Sequence, residues 1–292
     1  MEQTANVTET IINTINTIFE NLFSSIDNNL YTILDDITFI STDILNDKYF
    51  EKIFGTGTSN GILLIANSLL IGIILYYGIK LLLANFTYTQ VEMPTQFIFK
   101  LIIFGICMNS SYFLIEQFIG IMSNVSYAIR NLGEDLFGKN ICFAELISTI
   151  NNTASFNTTT IDVFSIEGLI KGALTLSLLG LVFSYALRFI MVKIFILLGP
   201  FAFLSLSQNS TSWFFKSWVR NLFSLLFIQI IVAIVLLIMF SMDFSTNNIL
   251  NKFLYVGGIY ALIRVNSFVR EFIGGVSTNV QSNVGNLFKI GR

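Results

Sequence analysis

Histidine is absent from the 292 residues, cysteine and proline occur twice each, and Asp, Glu, Lys and Arg together make up only 12%. Each scarcity removes a class of chemistry. Without histidine, and with Cys107 in an apolar run and Cys142 in a polar one, neither a zinc or haem site nor a disulfide is expected. A Ser–His or Cys–His nucleophile pair lacks its base. No GxxxxGK[ST] phosphate loop is present, and Gly55–Thr56–Gly57 reads as a turn because no strand pattern precedes it. A net charge of −2 and a pI near 5.2 supply no global basic field, so any contact with nucleic acid would be local. No Lys or Arg precedes Lys48 and no short apolar core follows Met1, so insertion through a cleaved signal is not expected. The expectation is a protein that is no enzyme and holds no cofactor.

What remains is apolar. Hydrophobic residues make up 54% and the mean hydropathy is +0.73, whereas an ordinary soluble domain carries about 25% charged residues. A globule of this size cannot hide that much apolar surface and still show water a polar face. The expected fold is therefore all-α: a polytopic helical membrane protein. It would have about five transmembrane helices plus a re-entrant or interfacial segment, preceded by an N-terminal amphipathic helix.

Residues 1–60 form that N-terminal region. Ile11, Leu22, Ile33 and Ile44 recur every eleven residues within a longer stripe from Val7 to Ile44, a period that keeps one face straight along a helix. Asp35, Asp36, Asp43 and Asp47 lie on the acidic opposite face, and Asn28–Asn29 is a point where two shorter helices would meet. An acidic stripe suits packing on protein, or the outer leaflet, better than anionic lipid.

Residues 61–122 read as a transmembrane hairpin, with spans at Gly61–Phe86 and Phe97–Met122 separated by Pro94. Residues 123–167 read as a polar extracytoplasmic loop. Residues 168–273 read as a C-terminal bundle with a break at Gly199–Pro200, and 274–292 as a polar tail. Lys and Arg count for the inner ends by ten to six in a five-span arrangement, and by eleven to five with six spans, so charge alone leaves both open. Ionisable groups within spans are functional candidates because lipid penalises them. These are Glu116, Arg188, Lys193 and Arg264; the two arginines, apolar on both sides, are expected to face protein or a water-filled passage.

The order of features then resembles a known family. Leu198–Gly199–Pro200–Phe201 closes a long apolar run, and the aromatic-basic connector from Trp213 through Trp218 to Arg220 leads into another. The run KIFILLGPFAFLSLSQNSTSWFFKSW, from Lys193 to Trp218, is similar to the Gly-Pro break and Trp-containing connector of the TrbL family. These are polytopic inner-membrane subunits of type IV secretion and conjugation machines. The resemblance implies a channel or platform subunit in a bacterial inner membrane, with its N-terminus outside and its C-terminus cytoplasmic. It implies homo-oligomers, with separate ATPases and bitopic stalk proteins as partners and transient contact with a DNA–protein or protein substrate. It favours five spans. The chain is shorter than many members, lacking their long soluble C-terminal extension, and its Ile/Asn/Phe usage suggests an AT-rich genome. A secondary transporter and a membrane scaffold are the rival readings; the first would show paired broken helices in two halves, and only one break is evident here.

Overall fold

The computed structural model describes Thr10 and residues 13–15, 17–18, 28–56, 60–87, 93–153, 166–242 and 249–273. Among these residues every regular element is a helix.

The first is α1 (Asn28–Thr38). The stripe predicts that it runs on to Ile44, but the helix stops at Thr38 and a 3-10 turn (Thr42–Leu45) follows. Short polar side chains take over the backbone there. Ser41 Oγ accepts from the Asp43 amide at 3.2 Å and donates to the Asp43 carboxylate at 2.7 Å. Asp47 then caps α2 (Lys48–Phe54), accepting from the Tyr49 amide at 3.0 Å. Gly55 ends that helix at φ +99°, a backbone conformation side chains resist. The inward face follows the stripe only in part: Ile40 and Ile44 are buried, Ile33 and Ile18 are exposed, and Tyr31, Leu34 and Leu45 outside the stripe are buried as well. Val7, Ile11, Leu22 and Ile26 lie outside the described residues.

Helix α3 (Ile62–Thr87) is apolar on every side, and only 6% of its apolar window is covered by the rest of the chain. It pairs antiparallel with α4 (Pro94–Asn109), whose Pro94 sits in the first turn where no N–H is needed. Tyr77 stacks on Phe97, and at the opposite end Asn67 and Asn109 exchange side-chain amide hydrogen bonds of 3.1 and 3.2 Å. The expected second span, Phe97–Met122, falls across two helices. The chain bends by 61° between α4 and α5 (Ser111–Phe137), at the adjacent serines Ser110 and Ser111, a residue pair that commonly marks kinks. Helix α4 alone is about 24 Å long, short of a hydrocarbon core. Helix α5 runs fifteen residues beyond Met122, to Phe137, and stops at Gly138 with φ +63°.

The region read as a polar loop therefore begins as helix and continues with α6 (Phe143–Thr153); residues 154–165 lie outside the description. Next come α7 (Ile166–Leu197), the short α8 (Gly199–Ser205), α9 (Ser212–Phe240) and α10 (Ile249–Ile273). Helix α9 is central, with 61% of its apolar window buried, against 39% for α7. Contacts set the directions. Trp218 meets Phe195 and Arg188 meets Leu225, so α9 opposes α7. Gly258 of α10 lies against Met239 of α9. Ser126 meets Gln229 and Gly133 approaches Leu237, so α5 runs with α9.

Two apolar cores result, one under α1, α6, α7, α9 and α10, the other where the 3-10 turn and α2 lie among α5, α7, α8 and α9. Among the described residues three helices are long and apolar enough to cross a membrane, Ile62–Phe86, Gly172–Leu197 and Ser212–Phe240; the bent α4–α5 pair makes a fourth if counted as one span. Helix α10, with Arg264, Arg270 and Glu271, does not join them on composition.

Candidate functional site: a buried arginine and a helix joint

Arg188 sits on α7 with its side chain wholly enclosed, at 0% exposure. Its Nε donates to the Leu225 carbonyl of α9 at 2.7 Å, and its Nη1 donates to the Thr38 carbonyl at 2.7 Å. Thr38 is the last residue of α1, so the guanidinium meets one of the carbonyls a helix end leaves unpaired, where the backbone dipole is negative. No carboxylate among the described residues pairs with Arg188. The charge is held by backbone oxygens from two helices alone.

Several neighbouring polar groups are less well met. Arg188 Nη2, Thr38 Oγ1, both amide atoms of Gln229 and Asn266 Oδ1 are buried with no hydrogen-bond partner. Gln229 stands one turn beyond Leu225 on α9, the turn that receives Arg188. Asn266 on α10 donates to Ser184 on α7 at 2.6 Å, and Tyr185 donates to the Leu262 carbonyl at 3.0 Å. Unmet buried polar atoms cost free energy and are rare where packing is the only demand. The interior between α1, α7, α9 and α10 is thus a polar layer within apolar walls. Arg188 faces the protein interior, as its flanking residues suggest. Arg264 does not: it lies on the exposed face of α10, folded back onto Tyr260, with 2.8 Å from Nη2 to the phenol oxygen.

The Gly199–Pro200 break is a joint rather than an open turn. Leu198 alone separates α7 from α8, and the backbone bonds Leu198 N–H to Ile194 O and Ala202 N–H to Leu198 O, both 3.0 Å, carry the helical path across it. Pro200 falls in the first turn of α8, where its missing N–H costs nothing. Gly199 is needed for proximity: a Cβ there would stand 2.5 Å from Ile115 Cδ1 of α5. Helix α8 is enclosed by α3, α4, α5, α7 and α9, so it ties the hairpin to the bundle.

The two tryptophans of the connector divide. Trp218 is 5% exposed and donates from Nε1 to the Phe195 carbonyl at 2.7 Å, packed between Phe203 and Phe215. Trp213 is 65% exposed and touches only Phe214 edge-on among the described rings. Glu116 is half-buried on α5, with no hydrogen bond or ion pair among the described residues. Cys107 and Cys142 are both free thiols.

Two polar contacts have no counterpart in the sequence reading. Asp35, assigned to the outer face of the stripe, turns inward and accepts from the Phe143 and Ala144 amides at 2.9 and 3.3 Å, capping α6 across space. Burial raises its pKa, and those two amides and Arg130 only partly counter it. Arg130 donates to the Ile141 carbonyl at 2.8 Å and lies 4.3 Å from the Phe39 ring centroid. Asp47, exposed and paired with Lys193 at 3.4 Å, is shifted the other way, chiefly by the Tyr49 amide it caps.

Compared with protein-family models, with curated proteins and with solved structures, the chain has no significant match. Fold and composition define it as an all-helical protein with three or four helices fit to enter a bilayer.

Proposed function

We propose that the chain is a membrane-embedded channel or platform subunit of a type IV secretion or conjugation machine, without catalytic activity of its own. The observation that carries this reading is that the run resembling the TrbL family, Lys193 to Trp218, is also the mechanical joint of the fold: α3, α4, α5, α7 and α9 all converge on α8. A second support is α3, almost bare of intramolecular contacts and apolar all round. Such a helix suits lipid and neighbouring copies or subunits. The alternating helix directions support five crossings, by α3, the bent α4–α5 pair, α7 with α8, α9 and α10, with the N-terminus outside and the C-terminus in the cytoplasm of a bacterial cell. Homo-oligomers, ATPases and bitopic stalk proteins are the partners this reading implies, and a DNA–protein or protein substrate is the cargo.

A second reading, a small-solute transporter, draws on the unmet polar atoms around Arg188 and Gln229. A mild-detergent pull-down from the native host separates the two. Co-recovery of secretion ATPases and bitopic subunits, with cysteines at Leu75 or Ile79 on bare α3 crosslinking to them, supports the machine. A self-associated protein that alone moves a solute into proteoliposomes replaces that reading with the transporter.

A further inference from the structure

Two cavities meet beside the hairpin. The first, about 240 Å3, is polar: Lys80, Tyr76 and Tyr77 of α3 face Ser207, Gln208, Asn209 and Ser210 of the connector between α8 and α9. The second, about 600 Å3, is an apolar groove between α3, at Leu69, Gly72 and Ile73, and Phe201, Leu204 and Trp213. Tyr76 and Gln208 line both, so one cavity opens into the other.

The polar chamber has one sign of charge. Lys80 has no hydrogen bond or ion pair among the described residues, and no carboxylate lines the chamber. Lys100 adds a second positive charge from the side, donating to Asn209 at 3.4 Å. Ser207 also lines the chamber, but it is 2% exposed and its hydroxyl is buried. An unpaired ammonium in a chamber with hydroxyl and amide donors and no carboxylate suits an anion rich in oxygen acceptors. The adjoining groove is nearly all hydrocarbon and aromatic, and Trp213 stands at its edge as tryptophans do at the membrane interface.

We propose that these joined cavities are a binding site for one anionic phospholipid, its phosphate in the chamber at Lys80 and one acyl chain along the groove at Gly72. Occupancy would fill the gap between the bare α3 and the α8–α9 connector, cementing the hairpin to the joint. The site requires that the chain sit in a membrane, and is independent of whether the machine it serves is a secretion apparatus.

The test uses the full chain, purified in mild detergent and returned to nanodiscs containing phosphatidylglycerol or phosphatidylcholine. Retained lipid is counted by native mass spectrometry and thermal unfolding is followed in parallel. The wild type should retain phosphatidylglycerol over phosphatidylcholine by about fivefold, the factor one lysine near an anionic surface is worth. Lys80→Glu should abolish that preference, with Lys80→Gln as the milder variant should the first fail to assemble. Gly72→Phe should lower retention of both lipids; a side chain there enters open space, with nothing within 4 Å of its Cβ. Equal retention of the two lipids by the wild type, or undiminished retention in both variants, overturns the site. So does stabilisation by inorganic phosphate that matches the lipid's, since that marks a phosphate pocket only. Covalent dimers through Gly72→Cys in native membranes would assign the groove to a second copy and overturn it equally.

Discussion

The guanidinium of Arg188 and the carbonyl of Thr38 lie 2.7 Å apart across 150 residues of sequence. That bond, with its companion to Leu225, fixes the end of α1 against the centre of the bundle. Arg188→Met should free α1 while leaving the apolar core filled. Hydrogen exchange over residues 31–38 is expected to rise about tenfold, the equivalent of one charge-assisted bond of ~1.5 kcal/mol. Arg188→Lys should fall between the two, since an ammonium lacks the fork that reaches both carbonyls. Unchanged exchange in Arg188→Met would mean that apolar packing alone holds α1.

At the joint, Gly199→Val should destabilise the protein, because its Cβ would stand 2.5 Å from Ile115 Cδ1. The expected loss is about 1–3 kcal/mol, the usual cost of overpacking. Ile115→Ala in the same chain should recover part of it. A double-mutant cycle in thermal unfolding reads the coupling, and strict additivity would show that the two side chains do not compete.

Trp218→Phe removes the donor to Phe195 and keeps the ring, so a loss of about 1 kcal/mol is expected. Trp218→Ala should cost about 3–5 kcal/mol by opening the core between Phe203 and Phe215. Trp213→Ala, at an exposed site, should leave unfolding in detergent unchanged. Equal effects of Trp213→Ala and Trp218→Ala would refute the division of roles.

Asn67 and Asn109 hold α3 to α4 near the bend. Replacing either with Leu should loosen the hairpin, and a double-mutant cycle should yield a coupling of about 0.6–1.7 kcal/mol, the range for interhelical bonds in membranes. Zero coupling would leave the ring stack of Tyr77 and Phe97 as the main tie.

Asp35 gives a pH signature. Its folded pKa lies above the ordinary 3.8 because burial outweighs the two amides it caps. The folded state then binds the proton more tightly than the unfolded chain. The stability this adds is full below 3.8 and is lost as pH rises through the higher folded value. The melting temperature of the wild type relative to Asp35→Asn should fall across that interval and level off above it. A difference that is flat with pH, or that rises, would contradict the shift.

Much of this protein follows from the sequence by itself. Scarce charge and long apolar runs demand helices fit for a bilayer, since a helix satisfies its own backbone where water is lacking. Gly199–Pro200 marked the break between α7 and α8. Tertiary structure decided the rest. A period of eleven residues is blind to the end of α1 at Thr38, because the group that receives its last carbonyl is 150 positions away. The 61° bend at Ser110 and Ser111 lies between two helices that together are apolar enough to count as one span, since hydropathy records what a helix buries and not which way it points. Arg264 and Arg188 look alike in sequence, yet one is exposed and the other enclosed, because enclosure depends on which face of each helix its neighbours cover.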